Sequence, residues 1–443
     1  MKVIVVGAGT SGLAAVHALR KQGAEVTCLE AKPTAGGRIF SRHKNGYIFD
    51  CGAQFFFKYY YTYFQLCAEL GLIDDLVSVP FRAAIPNVKD HRLTVAHASI
   101  NPKDLWNGRT ELLKFRGVPL SALLQLIPLL PTILKRYKDL HFTDFERMLD
   151  LDDESLAAFA LKKCGRDALE HVLQPVASTM TLGEPEEIGA GYGLALLWYA
   201  VNGLWTLKHG IGSASARMSE KYADCIRLNT PVKRIVIENG KVKGVETKDG
   251  LMEADRVICT TTAPTALKLM PQLPETMRGP LAMARYSACC HVMFALYNQL
   301  LPDTWYAVAL PRKFGSTMAG FTDSYIKSPH YTPTGGGMVS CFTFGRHAFE
   351  LNAKGDEEVK KILIKDLQHW VPSMPDEPYF TEICRFDEAV CTAGPGLLKA
   401  MLNMKRNHYQ DVKGLYLAGE YMYMPSVEGA TKSGLDAAET AMR

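Results

Sequence analysis

Residues 3–30 read VIVVGAGTSGLAAVHALRKQGAEVTCLE, and the spacing inside this stretch decides the fold. Val3 to Val6 is an unbroken β-branched run, the pattern of a parallel strand buried on both faces. Ser11 to Lys21 carries Leu13, Val16 and Leu19 at helical spacing, and Glu25 to Leu29 reads as a second strand. This is a βαβ opening. Gly7 permits the tight turn out of the first strand, Gly9 removes a side chain where a pyrophosphate must approach, and Gly12 lets helix and strand pack closely. Free N–H groups at the helix start face the phosphates, so Ala8 and Ser11 belong to the same site. Glu30 ends the second strand, placed to accept two ribose hydroxyls, and Ala31 follows it. These features predict an adenine dinucleotide site. They do not separate NAD from FAD, which share the ADP half.

Three further segments lean towards FAD. In AKPTAGGRIFS (31–41), Gly36 and Gly37 allow a second close backbone approach, and Arg38 supplies a planar cation suited to a phosphate. In FDCGAQFFF (49–57), Gly52, Ala53 and Gln54 form a turn whose backbone can lie against a flat ring. Near the C-terminus, GLYLAGE (414–420) reads as a buried strand ending at Gly419 and Glu420, whose carboxylate can accept from ribityl or ribose hydroxyls. SVEGATKSGLDAAETAM (426–442) then opens a helix whose first turn spans Val427 to Ala430. Its N-terminus would stabilise negative charge on a reduced flavin ring. Glu428 in that turn suits the helix dipole better than the role of a base.

A chain of 443 residues, 47% hydrophobic, exceeds one ordinary core and predicts two domains. The formal charge of +4 is dispersed and its basic clusters are short, which argues against a nucleic-acid partner. Eleven scattered cysteines without a CxxC pair suggest neither a disulfide framework nor a metal site. The apolar run at Val3 is too short for a signal sequence, so a reducing cytoplasm is expected. VPLSALLQLIPLLPTIL (118–134) is too short, and too interrupted by Pro128 and Pro131, to span a bilayer. A buried or tunnel-lining helix pair is the favoured reading; a monotopic membrane contact is the second. Trp198, Tyr199 and Trp205 read as core residues, with a cavity lining as the alternative.

With GAGTSG, Glu30, GGR, NTPVKRI (229–235) and LAGE…SVEGATKSG in this order, the chain resembles the FAD-dependent amine oxidase, protoporphyrinogen oxidase and phytoene desaturase superfamily. The resemblance covers the FAD-binding segments and fades elsewhere. It implies an α/β protein: a Rossmann-type FAD-binding domain (1–75, 205–275 and 395–443) with an inserted α+β substrate domain (76–204 and 276–394). It also implies that the Val232 backbone meets the adenine. Amine oxidases of this family usually carry a Lys where this chain has His291, and an aromatic cage residue where it has Ser426-Val427. Both departures weigh against amine oxidation. His291 is the one candidate proton relay, though a packed histidine hydrogen-bonded to a neighbouring strand is the preferred reading. The expected activity is hydride removal from a largely apolar small molecule, with oxygen or a quinone as acceptor. The alternatives are an amine oxidase, a redox-neutral FAD-dependent isomerase, and a flavin-free binding module like the guanine nucleotide dissociation inhibitors.

Overall fold

The computed structural model describes residues 1–80, 82–87, 92–97, 117–301 and 306–443. Its organising element is a five-stranded sheet in the order Ile226–Arg227, Glu25–Leu29, Lys2–Val6, Arg256–Cys259, Leu415–Leu417. All its pairings are parallel, with Val5 opposite Cys28 on one side and Ile258 on the other. The central strand therefore has no solvent face, which is why Val3 to Val6 read as a continuous apolar run. Gly7, Glu30, Thr260 and Gly419 all follow the carboxyl ends of these strands, the edge at which open parallel sheets bind ligands.

Two helices cover this sheet from opposite ends of the sequence. Thr10–Lys21 follows the first strand, and Val427–Met442 packs against it. The approach is closest at Gly434, where a Cβ would lie 2.1 Å from the Ser11 carbonyl oxygen.

A seven-stranded sheet forms the second layer system, in the order Phe380–Phe386, Cys289–Leu296, Gly337–Thr343, Met318–Asp323, Ala307–Ala309, Arg82–Pro86, Leu93–His97. It is antiparallel except where Ala307–Ala309 pairs with Arg82–Pro86. Every residue of Cys289–Leu296 is buried. One face packs on the helix Asp356–Trp370 through Val292, Phe294, Leu363 and Leu367. The other, carrying His291, Met293 and Ala295, turns towards the hairpin Ile39–Lys44/Tyr47–Gly52. That hairpin reverses at Asn45-Gly46, both at positive φ, the geometry of a two-residue Asn-Gly turn. Among the described residues, 117–204 are largely helical, with Ser155 capping Leu156–Lys163 through the Ala158 N–H. Arg82–Pro86 and Leu93–His97, earlier in the chain, join the second sheet.

The favoured reading of 118–134 is corrected. Leu120–Leu126, Ile127–Leu129 and Leu130–Arg136 follow one another as consecutive turns, the last two each opened by a proline. Only Ala122, Leu126, Leu129 and Ile133, which share one face, reach the core. Leu120, Leu123, Leu124, Ile127, Leu130 and Leu134 face outward and are exposed. The helices are apolar on both sides, but the core supplies a partner for one. No helix among the described residues is long and apolar enough to cross a membrane.

Because the Ser11 carbonyl cannot yield to a Cβ without separating two helices, Gly434→Ala should destabilise the fold by about 1–3 kcal/mol, as overpacked sites do. Ordinary helix propensity would favour the alanine by about 1 kcal/mol. Urea denaturation gives the sign; an unchanged or raised midpoint would mean that the helices do not touch there.

Candidate active site

The residues singled out from the sequence form one connected set along the carboxyl edge of the parallel sheet. Glu30 accepts from the Ala8 N–H at 2.7 Å and from the Lys32 N–H at 2.9 Å. Each oxygen thus braces a turn, and the carboxylate keeps lone pairs for further donors. The Gly36 N–H donates to the Ala8 carbonyl at 2.8 Å, and a Cβ on Gly37 would sit 3.1 Å from the Gly9 Cα. Gly7, at φ +101°, turns the chain out of the first strand, and a Cβ on Gly12 would lie 1.9 Å from its carbonyl oxygen. No side chain caps the helix behind Gly9, so its leading N–H groups remain available to an anion. The Thr230 N–H donates to the Glu30 carbonyl at 2.7 Å, placing Ala31 and Val232 beside this end of the edge.

At the other end, the Ala53 N–H donates to the Arg38 carbonyl, and Gly52, at φ +113°, is where a Cβ would meet that carbonyl oxygen at 2.1 Å. Arg38 is not a free cation. Its guanidinium donates to Glu420 at 2.7 Å and to the Ala389 carbonyl at 3.1 Å. Burial opposes its charge, but the attraction of Glu420 outweighs this and holds Arg38 above its ordinary pKa. The second oxygen of Glu420, Oε1, is buried without a partner among the described residues. A buried carboxylate oxygen left open in this way is an acceptor waiting for a donor. Ser426 caps the C-terminal helix by accepting from the Gly429 N–H at 2.9 Å, so it supports the helix start that carries Val427 and Ala430. Glu428 accepts from the N–H groups of Thr62 and Tyr63 at 2.8 and 2.9 Å, and thus serves the N-terminus of a second helix, Tyr61–Glu69.

The Gln54 side chain braces its own turn. Its amide donates back to the carbonyls of Asp50, Gly52 and Ala53, and its oxygen accepts from Lys327 at 3.5 Å. Asp50 is the centre of this knot. It accepts from Lys327 at 2.5 Å, Ser41 at 2.6 Å and the Ile211 N–H at 2.9 Å. Burial pulls the Lys327 ammonium below its ordinary pKa while Asp50 opposes the shift. Sequence reading missed this pair. Asp50, a lone carboxylate in an apolar strand, was the available signal; Lys327, in SYIKSPH, carried none.

His291 lies on the inner face of the seven-stranded sheet, fully buried, with both ring nitrogens unpartnered among the described residues. The expected hydrogen bond to a neighbouring strand is absent because its cross-strand neighbours, Phe342 and Cys384, offer no strong acceptor. The imidazole stacks on Phe342 instead, with centroids 4.4 Å apart. Burial, reinforced by Lys327, pushes its pKa down to about 3, so the ring is neutral at working pH. Tyr199 belongs to the core, stacked on Phe142, and Trp198 packs against Tyr137. Trp205 pairs with Phe56 across adjacent strands.

The family model described as flavin containing amine oxidoreductase matches residues 10–442. The chain belongs to that family. Its curated relatives include coproporphyrinogen III oxidase of Bacillus subtilis (strain 168), 20% identical over 94% of this chain and 93% of that protein. L-amino-acid oxidase of Bothrops pauloensis is 24% identical over 100% of this chain and 89% of that protein. Among solved structures, a protein from Exiguobacterium sp. 255-15 provisionally named protoporphyrinogen oxidase superposes with a TM-score of 0.78 at 19% identity, covering 99% of this chain and 98% of that one. At such identities the flavin amine oxidoreductase fold is shared, with its Rossmann-type parallel sheet.

A neutral, buried imidazole has a measurable consequence. Between about pH 3 and the ordinary 6.5, the unfolded chain binds a proton at His291 that the folded chain does not. Stability therefore rises with pH across this window and is lost on acidification, by roughly 1.4 kcal/mol per pH unit from this group. Denaturation between pH 6 and pH 4 should show a steeper loss for the wild type than for His291→Met. Equal slopes would mean that the histidine is partnered.

Proposed function

We propose that this flavin amine oxidoreductase is an FAD-dependent oxidoreductase that removes a hydride from a carbon of a largely apolar small molecule, in the manner of protoporphyrinogen oxidases and desaturases. Oxygen or a quinone is the proposed electron acceptor. The reading takes 1–75, 205–275 and 395–443 as the FAD-binding part and 76–204 and 276–394 as the substrate part.

FAD, when bound, supplies the hydride acceptor. The chain's residues fit it: Glu30 retains lone pairs for ribose hydroxyls, the glycine turns leave room for a pyrophosphate, and the Arg38–Glu420 pair keeps Oε1 open towards a hydroxyl donor. The start of the C-terminal helix, capped by Ser426, favours negative charge gained on reduction.

The observation that carries the choice of an apolar substrate over an amine is His291. Where amine oxidases of this family usually have a lysine, this chain has a neutral imidazole stacked on Phe342, which belongs to an apolar cluster with Leu182, Cys289, Ala319 and Phe344. Such a face excludes water from a reacting C–H bond and can position it, while the imidazole can donate or accept one hydrogen bond to a ligand.

Anaerobic mixing tests the assignment. A bulky apolar compound with an activated C–H bond should bleach the bound flavin readily, and arylalkylamines should do so slowly or not at all; the reverse order would make the protein an amine oxidase. The cofactor grip has its own test. Glu30→Ala removes a charged acceptor and its hydrogen bonds to the Ala8 and Lys32 N–H groups, and should weaken FAD binding by roughly 1.5–3 kcal/mol, about 10- to 150-fold. Glu30→Gln, which keeps one acceptor oxygen, should cost less. Full flavin occupancy of Glu30→Ala after dialysis would refute the placement.

A further inference from the structure

We propose that the outward row of the helices at residues 120–136 is a docking surface for a lipid bilayer carrying anionic headgroups. Leu120, Leu123, Leu124, Ile127, Leu130 and Leu134 recur at helical spacing and form one stripe. Their exposure is unusual for leucine and isoleucine: 69% for Leu120 and Leu134, and 54–56% for Leu124, Ile127 and Leu130. Scattered exposed leucines need no explanation, but a continuous aliphatic row marks a contact surface. The row is held rigidly. Its reverse face, through Leu126, Leu129 and Ile133, packs on the main core, and Tyr137 at its end rests against Trp198 at 5.5 Å.

Composition and charge identify the occupant. A protein partner selects for aromatic and arginine anchors at the centre of its contact. Here the centre is purely aliphatic, and the tyrosine and the lysines stand at the margin, as in a helix lying in a membrane interface. Lys135 and Lys138 follow the row. The helix Leu156–Lys163 ends shortly before Gly165, where a Cβ would lie 2.6 Å from the Gln125 side chain of the row's own helix. Among the nearby carboxylates, Asp150 pairs with Arg136, Asp139 with Arg147 and Asp153 with Lys399, while Asp167 accepts from the Ser121 hydroxyl at 2.6 Å. Lys135, Lys138 and Lys163 make no ion pair among the described residues, and each can reach towards headgroups while its stem lies along the apolar row.

Co-sedimentation of the full-length flavin-loaded protein with phosphatidylcholine vesicles, with and without phosphatidylglycerol, tests this. The wild type should bind both, and the anionic vesicles more tightly. Combined Leu124→Ser, Ile127→Ser and Leu130→Ser should lower partitioning by about tenfold or more, with melting temperature and flavin spectrum unchanged because these side chains make no core. Combined Lys135→Gln and Lys138→Gln should erase only the preference for anionic vesicles. Failure of the wild type to bind either vesicle at low salt overturns the proposal. So does a concentration-dependent dimer, seen by sedimentation velocity without lipid and abolished by the serine variant, which would make the occupant a second copy. A fall in melting temperature of the serine variant with unchanged vesicle binding would show that the chain itself covers the row.

Discussion

The close approach of the first and last helices is the constraint on which the site depends. Gly434 lets the C-terminal helix lie against the backbone of Ser11, and Ser433 both accepts from the Gly419 N–H at 3.0 Å and approaches the Ser11 hydroxyl at 3.5 Å. The strand Leu415–Leu417 then closes the parallel sheet beside Arg256–Cys259. Glu420 arrives by this route at the edge already occupied by Glu30, although nearly the whole chain separates them. Glycine is needed because any side chain at this crossing would hold the helices apart and shift the turn that carries Glu420 relative to the strand end that carries Glu30.

A second interaction ties the two sheets to this edge. Lys327 follows the strand Met318–Asp323 of the large sheet, while Asp50 lies in the hairpin that leads into the Gly52–Gln54 turn. Breaking a buried pair by removing one partner typically costs about 3–5 kcal/mol, because the other charge is left stranded in a low-dielectric interior. Asp50 also holds the Ile211 N–H and Ser41, so several crossings of the chain between the sheets converge on one carboxylate. The turn expected to lie against the flavin ring is thereby fixed by the layer that carries His291. An unpartnered histidine and a buried lysine on the same side of the molecule are costs that a purely structural core would avoid.

The sequence by itself determined the parts whose signal is local. Gly7, Gly9, Gly12 and Glu30 are recognisable because a tight turn, a close backbone approach and a strand-end carboxylate each demand particular residue types at fixed spacing. The same holds for the Gly36–Arg38 and Gly52–Ala53 turns and for the small-residue helix after Glu420. What only the tertiary structure decided concerns partners remote in the chain. Arg38 was legible as a cation, but not as the partner of Glu420; Gln54 was legible as part of a turn, but not as a brace for it. Lys327 was invisible, since a lysine's burial depends on a carboxylate far away in sequence. The hydrogen bond expected for His291 failed because cross-strand register set Phe342 and Cys384 beside it. The apolar run at 118–134 had the composition of a buried element, yet whether a helix face meets protein or solvent depends on which layers fold over it. Spacing along the chain fixes backbone geometry, whereas burial and charge pairing are properties of neighbours that the chain brings together only when it folds.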